Sequence, residues 1–168
     1  MADPNGEGAN VTGEAVSPTC PVMCTADLVG DRWTLLILRD AFTGIRRFSQ
    51  FQRSLGIAKN ILSDRLSGLV EVGVLRTEPA SDGTSYRAYA LTDKGLELFD
   101  LIVALRQWGE RHAIEPGTPY RPLIDSRTGE PLARVTYVRP DGTPLRHTET
   151  RLGDPQLMAP GEQTATTG

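Results

Sequence analysis

A short amphipathic segment, a glycine turn, a longer amphipathic segment and an Asp-Gly hairpin follow one another between Ser49 and Leu91, and few folds accept that order. Ser49 and Gln52 form a capping-box pair that opens a short helix through about Ser54. Leu55-Gly56-Ile57 is a turn. From about Ala58 to Val72, Ile61, Leu62, Leu66, Leu69 and Val70 form one helical stripe, and Gly73 ends it. Val74–Glu78 and Ser85–Leu91 read as strands. The loop between them, Pro79 to Thr84, carries the Asp82-Gly83 hairpin signal.

The flanks fit the same plan. Pro21 starts a helix to about Val29. Asp31 caps a second, which ends near Gly44. Its Trp33, Leu35, Leu36, Ile37, Leu38, Ala41 and Phe42 are apolar nearly all round, so it is expected at the centre of the core. Thr92 caps a last helix that continues to about His112. Short helix, turn and longer helix make a helix-turn-helix unit, and a hairpin directly after it makes a wing. The fold class expected is α+β, mostly α: a winged helix-turn-helix with a C-terminal β-rich extension.

Charge divides the chain into zones. Residues 1–18 hold Asp3, Glu7 and Glu14 and no Lys or Arg, and are expected to be a disordered N-terminal tail. Residues 19–112 are dense in helical patterns and hold the helix-turn-helix and wing; they are expected to form the functional domain. Residues 113–152 are rich in Pro, Gly and Thr. There Tyr120–Asp125, Leu132–Val138 and Pro144–Arg151 suggest a small β-meander with turns at Thr128-Gly129 and Pro140-Asp141-Gly142. Residues 153–168 are expected to be a disordered tail.

The longer helix of the unit has two faces of different chemistry. Opposite its apolar stripe lie Lys59, Asn60, Ser63, Asp64 and Ser67. Such a face suits a DNA major groove, where Asn pairs with adenine and Lys reaches guanine or phosphate. A plain solvated helix would look the same, and winged helices also serve as protein-binding modules without DNA. Local charge favours DNA. Seven cations (Arg32, Arg39, Arg46, Arg47, Arg53, Lys59, Arg65) stand against Asp40 and Asp64 between positions 32 and 65. That offsets the acidic average of −3, because phosphate binding depends on where cations sit. Arg46 and Arg47 are placed to grip phosphates. Arg32, Arg39 and Arg65 fit better as surface residues or ion pairs at the edge of the core. The wing adds Arg76 and Arg87, while its tip carries Asp82.

Other function classes find little support. No phosphate-cradling Gly motif, nucleophile elbow or triad spacing appears, so no catalytic residues and no cofactor are expected. Cys20, Cys24, His112 and His147 show no paired ligand spacing, so no metal is expected. No stretch approaches the ~20 apolar residues of a membrane helix, and a cytoplasmic location is expected.

Several runs resemble the HxlR-type regulators, a group related to the MarR regulators. They are Cys20-Pro21-Val22, Asp27 to Asp40, Gly44 to Phe51, Ile61 to Leu66, Tyr89 to Gly95 and Trp108-Gly109-Glu110, with spacing intact over residues 19–112. The resemblance implies a bacterial homodimer on an inverted-repeat operator. It implies DNA contacts by Arg46, Arg47, Ser49, Gln50, Lys59, Asn60, Ser63 and Asp64, with Arg87 in the wing. Many relatives have Ser where Ala58 stands, so this helix lacks that side-chain cap.

A dimer also follows from the last helix, which is apolar on two stripes. Leu98, Leu101, Ile102, Leu105 and Trp108 form one, and Leu96, Phe99 and Val103 the other. One stripe serves the core and the other asks for a partner, with Val22 of the first helix adding to that surface. Cys20 precedes a helix, whose N-terminal end favours a reactive thiolate. It is a candidate redox sensor. A buried inert thiol and a small-molecule effector remain alternatives.

Overall fold

The computed structural model describes residues 20–79 and 87–153. The two tails and the hairpin tip, including Asp82, Thr84 and Ser85, lie outside the described residues. The helices begin and end where local chemistry places them. Pro21 occupies the first position of α1 (Pro21–Val29). Asp31 caps α2 (Arg32–Phe42). Gly56, at φ 60°, closes α3 (Phe48–Leu55), a conformation that a side chain at this position would strain. Helix α4 (Lys59–Glu71) runs into Gly73 at φ 72°.

Phe51, Ile37, Leu38, Leu62 and Leu66 are fully buried, which puts α2 at the centre with α3 and α4 packed on it. Strands β1 (Leu75–Pro79) and β2 (Arg87–Leu91) pair antiparallel, with Leu75 opposite Leu91 and Thr77 opposite Tyr89. Leu75 is buried in the core on the face it shares with Tyr89 and Leu91, while Ala88 and Ala90 are buried on the opposite face, as a period of two requires.

Asp31 ties α2 to α4. Its carboxylate accepts the N–H groups of Trp33 at 3.0 Å and Thr34 at 3.2 Å, and the Thr34 hydroxyl. The guanidinium of Arg65 lies 3.3 Å away. Partial burial alone would raise the Asp31 pKa, but those donors and Arg65 outweigh it and hold the carboxyl below its ordinary 3.8. A lowered folded pKa means the stabilisation is complete above that ordinary value and is lost as pH falls through the lowered one. Asp31→Ala should therefore cost about 1 kcal/mol in urea unfolding at neutral pH. The gap to the native chain should close in acid.

Two helical expectations need correction. The Ser49–Gln52 box is not the start of α3. Arg47 is held extended by a bridge to Ala88, so the helix begins at Phe48 and Gln50 does the capping. Gln50 Oε1 accepts the Arg47 N–H at 3.0 Å. The last helix is also divided, into α5 (Asp93–Leu96) and α6 (Phe99–His112). Thr92 caps α5 as expected, accepting the Gly95 N–H at 3.1 Å, and its hydroxyl donates to the Gly73 carbonyl at 2.6 Å. A Cβ at Gly95 would collide with the Val74 carbonyl oxygen. This close approach fixes the turn, and Leu98 N–H then bonds back three residues to Gly95 at 3.2 Å, tightening it.

The chain separates into two compact units, residues 1–109 and 110–168. In the second, the expected β-meander is absent: among the described residues it holds no strand, only isolated bridges Ile124–Pro131 and Val138–Pro144 and a 3₁₀ turn at His147–Glu149. The expected reversals do form, with Gly129 at φ 75° and Gly142 at φ 82°. Each is followed by a bridging proline that has no N–H to extend a ladder. The fold is thus a mostly helical winged helix-turn-helix whose only strands, among the described residues, are the two of the wing.

The two reversals are copies of one knuckle. Gly129-Glu130-Pro131-Leu132 and Gly142-Thr143-Pro144-Leu145 close it in the same way. In the first, Asp125 N–H donates to Glu130 (2.8 Å), Gly129 to Asp125 (2.8 Å) and Leu132 to Leu123 (3.1 Å). In the second, Arg139 donates to Thr143, Gly142 to Arg139 and Leu145 to Tyr137, each at 2.8 Å. The aspartates Asp125 and Asp141 accept backbone N–H groups within the tips.

Candidate nucleic-acid interface

Helix α4 presents the two faces its sequence implies. Leu62, Leu66 and Leu69 are buried, while Lys59, Asn60, Ser63, Asp64 and Ser67 are all exposed. Ile61 is the exception on the apolar stripe and lies at the solvent edge. Ala58 gives α4 no side-chain cap, so its first N–H groups are available to an acceptor such as phosphate.

A second cluster forms at the start of α3. The Arg46 carbonyl accepts the Tyr89 N–H at 2.8 Å, and Arg47 bridges to Ala88, so this segment lies along β2 almost as a third strand. Arg47, Phe48, Ser49 and Arg87 line a recess of about 480 Å³. Thus the fold brings Arg47, Ser49 and Arg87 together from distant positions. Gln50 is exposed beside them. Arg87 also donates to the Thr77 hydroxyl at 3.3 Å.

The other cations divide as expected. Arg39 pairs with Asp40 at 2.7 Å, Arg65 with Asp31, and Arg32 lies over the Trp33 ring at 5.0 Å. Arg46 is different: its guanidinium sits 2.6 Å from Glu78 on β1. No local sequence signal marks Glu78 as its partner, because a pairing 32 positions apart is set by strand register.

Cys20 occupies the N-cap position of α1, half-buried, and Cys24 follows one turn later. The apolar stripes of α6 divide differently from expectation. Val103 is buried, and Leu98 and Ile102 pack against the core of their own chain. Leu101, Leu105 and Trp108 stay 41%, 48% and 56% exposed, and Val22 on α1 is 77% exposed. Among the described residues no group of His, Cys, Asp and Glu could hold a metal, and no helix is long and apolar enough to cross a membrane.

Short helix, left-handed glycine turn, longer helix and paired wing define a winged helix-turn-helix protein. More particularly, the chain belongs to the HxlR-like helix-turn-helix family, whose profile matches residues 28–116. That family comprises transcriptional regulators, not enzymes. An HTH-type transcriptional regulator of Mycobacterium tuberculosis is 48% identical over 104 residues, covering 62% of this chain and 66% of the relative, just under two thirds of its length. Among solved structures, PA1607, described as a candidate transcription factor, shares 46% identity at a TM-score of 0.78 over 82% of this chain and 96% of its own. Residues 1–109 alone cannot fill that share, so the match extends into the second unit. The redox regulator HypR in its reduced form matches at 26% identity and a TM-score of 0.52, over 56% of this chain and 94% of its own.

Proposed function

We propose that the chain is a sequence-specific DNA-binding transcriptional regulator that acts as a homodimer on an inverted-repeat operator. The observation that carries this reading is the contrast across α4. One face is locked into the core, and the other presents Lys59, Asn60, Ser63 and Asp64 to solvent. In this reading the outer face enters the major groove, and Asn60 and Lys59 make the base and near-phosphate contacts. Arg46, Arg47, Ser49, Gln50 and Arg87 grip the backbone on either side and set the register.

The dimer uses apolar residues left outward on α1 and α6, among them Val22, Leu101, Leu105 and Trp108. Leu98 and Ile102 support that surface from the core side. Pairing sets two α4 helices about 34 Å apart, one turn of DNA.

The effector is a small molecule or a thiol-reactive compound. Cys20 at the helix start supports the second, as does the likeness to a redox regulator. The test is a mobility-shift titration on the DNA upstream of the protein's own gene, at several salt concentrations. A retarded complex that weakens steeply with salt is expected, and its absence at low salt would remove the DNA reading. Under thiol sensing, diamide should dissociate or reshape that complex for the native chain and leave Cys20→Ser unaffected. An unchanged diamide response in Cys20→Ser would assign sensing elsewhere.

A further inference from the structure

We propose that Glu78 is a specificity-determining residue of the DNA interface. It occupies the Arg46 guanidinium until a correctly placed phosphate replaces it, and so keeps binding to unrelated DNA weak. This rests on the DNA-binding reading above.

The geometry supplies each part. Arg46 is anchored through its backbone on both sides: its carbonyl accepts the Tyr89 N–H at 2.8 Å, and its N–H donates to Gln50 Oε1 at 3.3 Å. Its side chain is exposed and ends 2.6 Å from Glu78 Oε1. The other carboxylate oxygen of Glu78 lies 3.6 Å from Arg76, whose guanidinium also donates to the Leu91 carbonyl at 2.7 Å. One carboxylate therefore serves two guanidiniums at the junction of α3 and the wing.

Stability is a poor account of this arrangement, because an ion pair this exposed contributes only about 0–1 kcal/mol. Its consequence for DNA is larger. A carboxylate beside phosphates is repelled, and each cation it neutralises is one fewer to displace counterions from DNA. A phosphate must therefore compete with Glu78 for Arg46. It can do so only when α4 and the recess formed by Arg47, Ser49 and Arg87 have already seated the backbone. On unrelated DNA, where seating is imperfect, Arg46 stays with Glu78. The acidic residue thus widens the gap between correct and incorrect sites, as repulsive elements do in specific recognition.

The experiment compares the native chain, Glu78→Gln, Arg46→Gln and the double variant on two duplexes. One is the upstream DNA of its own gene and the other the same length in scrambled order. Glu78→Gln keeps the side-chain shape and removes the charge. It should bind the scrambled duplex about tenfold tighter. Its log K against log salt slope should steepen by about 0.9, the value for one more phosphate neutralised. Both changes should vanish in the double variant. Arg46→Gln alone should leave scrambled binding nearly unchanged and weaken operator binding, which tests the idea without any change at Glu78. If Glu78→Gln, folded by circular dichroism, shows the native slope and native affinity for scrambled DNA, Glu78 has no such role although the DNA reading stands. If Arg46→Gln weakens both duplexes equally, Arg46 is not withheld and the proposal is overturned. If the native chain binds neither duplex, both readings fall together.

Discussion

Asn60→Ala should weaken operator binding by about ten- to a hundredfold, the value of one good bidentate base contact, while leaving binding to unrelated DNA nearly unchanged. The residue lies in the first turn of α4, exposed, on a helix whose opposite side is fixed by Leu62 and Leu66. Truncating it removes no core contact, so thermal stability should stay within about 0.5 kcal/mol of native. That separation of affinity from stability distinguishes a base contact from a structural one. Lys59→Ala supplies the contrast. A phosphate contact is insensitive to sequence, so its loss should weaken both DNAs alike and reduce the salt slope by about 1. Equal losses on both DNAs for Asn60→Ala would move Asn60 from the bases to the backbone.

The second large effect concerns assembly. Leu105→Glu should convert the proposed dimer to monomer in sedimentation equilibrium at micromolar concentration. It should remove operator binding with it. Leu105 is half-exposed in the monomer, so the carboxylate is well solvated there and folding survives. In the dimer the same carboxylate would be desolvated in each subunit, a cost of several kcal/mol. An operator of two half-sites then loses its second reading helix, and affinity falls by far more than a single contact would explain. Val22→Glu, on α1, should act in the same direction. A native-like dimer in both variants would place the subunit interface elsewhere.

Much of the winged unit was legible because its punctuation is local. Pro21, Asp31, Gly56 and Gly73 each set an element end through their own backbone or side-chain chemistry, and the ends fall within about a residue or two of expectation. The division of faces on α4 was equally plain, since helical spacing alone sorts Leu62, Leu66 and Leu69 from Asn60 and Ser63. Pairings across the chain were not legible. Arg46 with Glu78, Arg47 along β2, and Gly95 against Val74 depend on register and close approach, which no window of neighbouring residues encodes. The start of α3 was misplaced for the same reason, because a distant strand holds Arg47 extended. In the second unit, alternating apolar residues suggested strands. The prolines after each turn glycine had more weight than the alternation, because they remove the donors a sheet needs.

The duplicated knuckle has a consequence for how the protein breathes. Each copy is closed by hydrogen bonds within about ten residues of chain, and neither contributes a buried apolar residue among those described. Cooperativity comes from shared burial, so two such closures have little to couple them and should open one at a time. Their amides should therefore exchange with solvent deuterium through separate local openings, well before those of Ile37, Leu38 and Leu66. The single extra residue in the first loop changes neither its closing bonds nor its turn glycine, which marks the knuckle as a module that tolerates insertion at its tip. The second unit should thus open piecemeal and readily, while opening of the winged unit requires its whole core to yield.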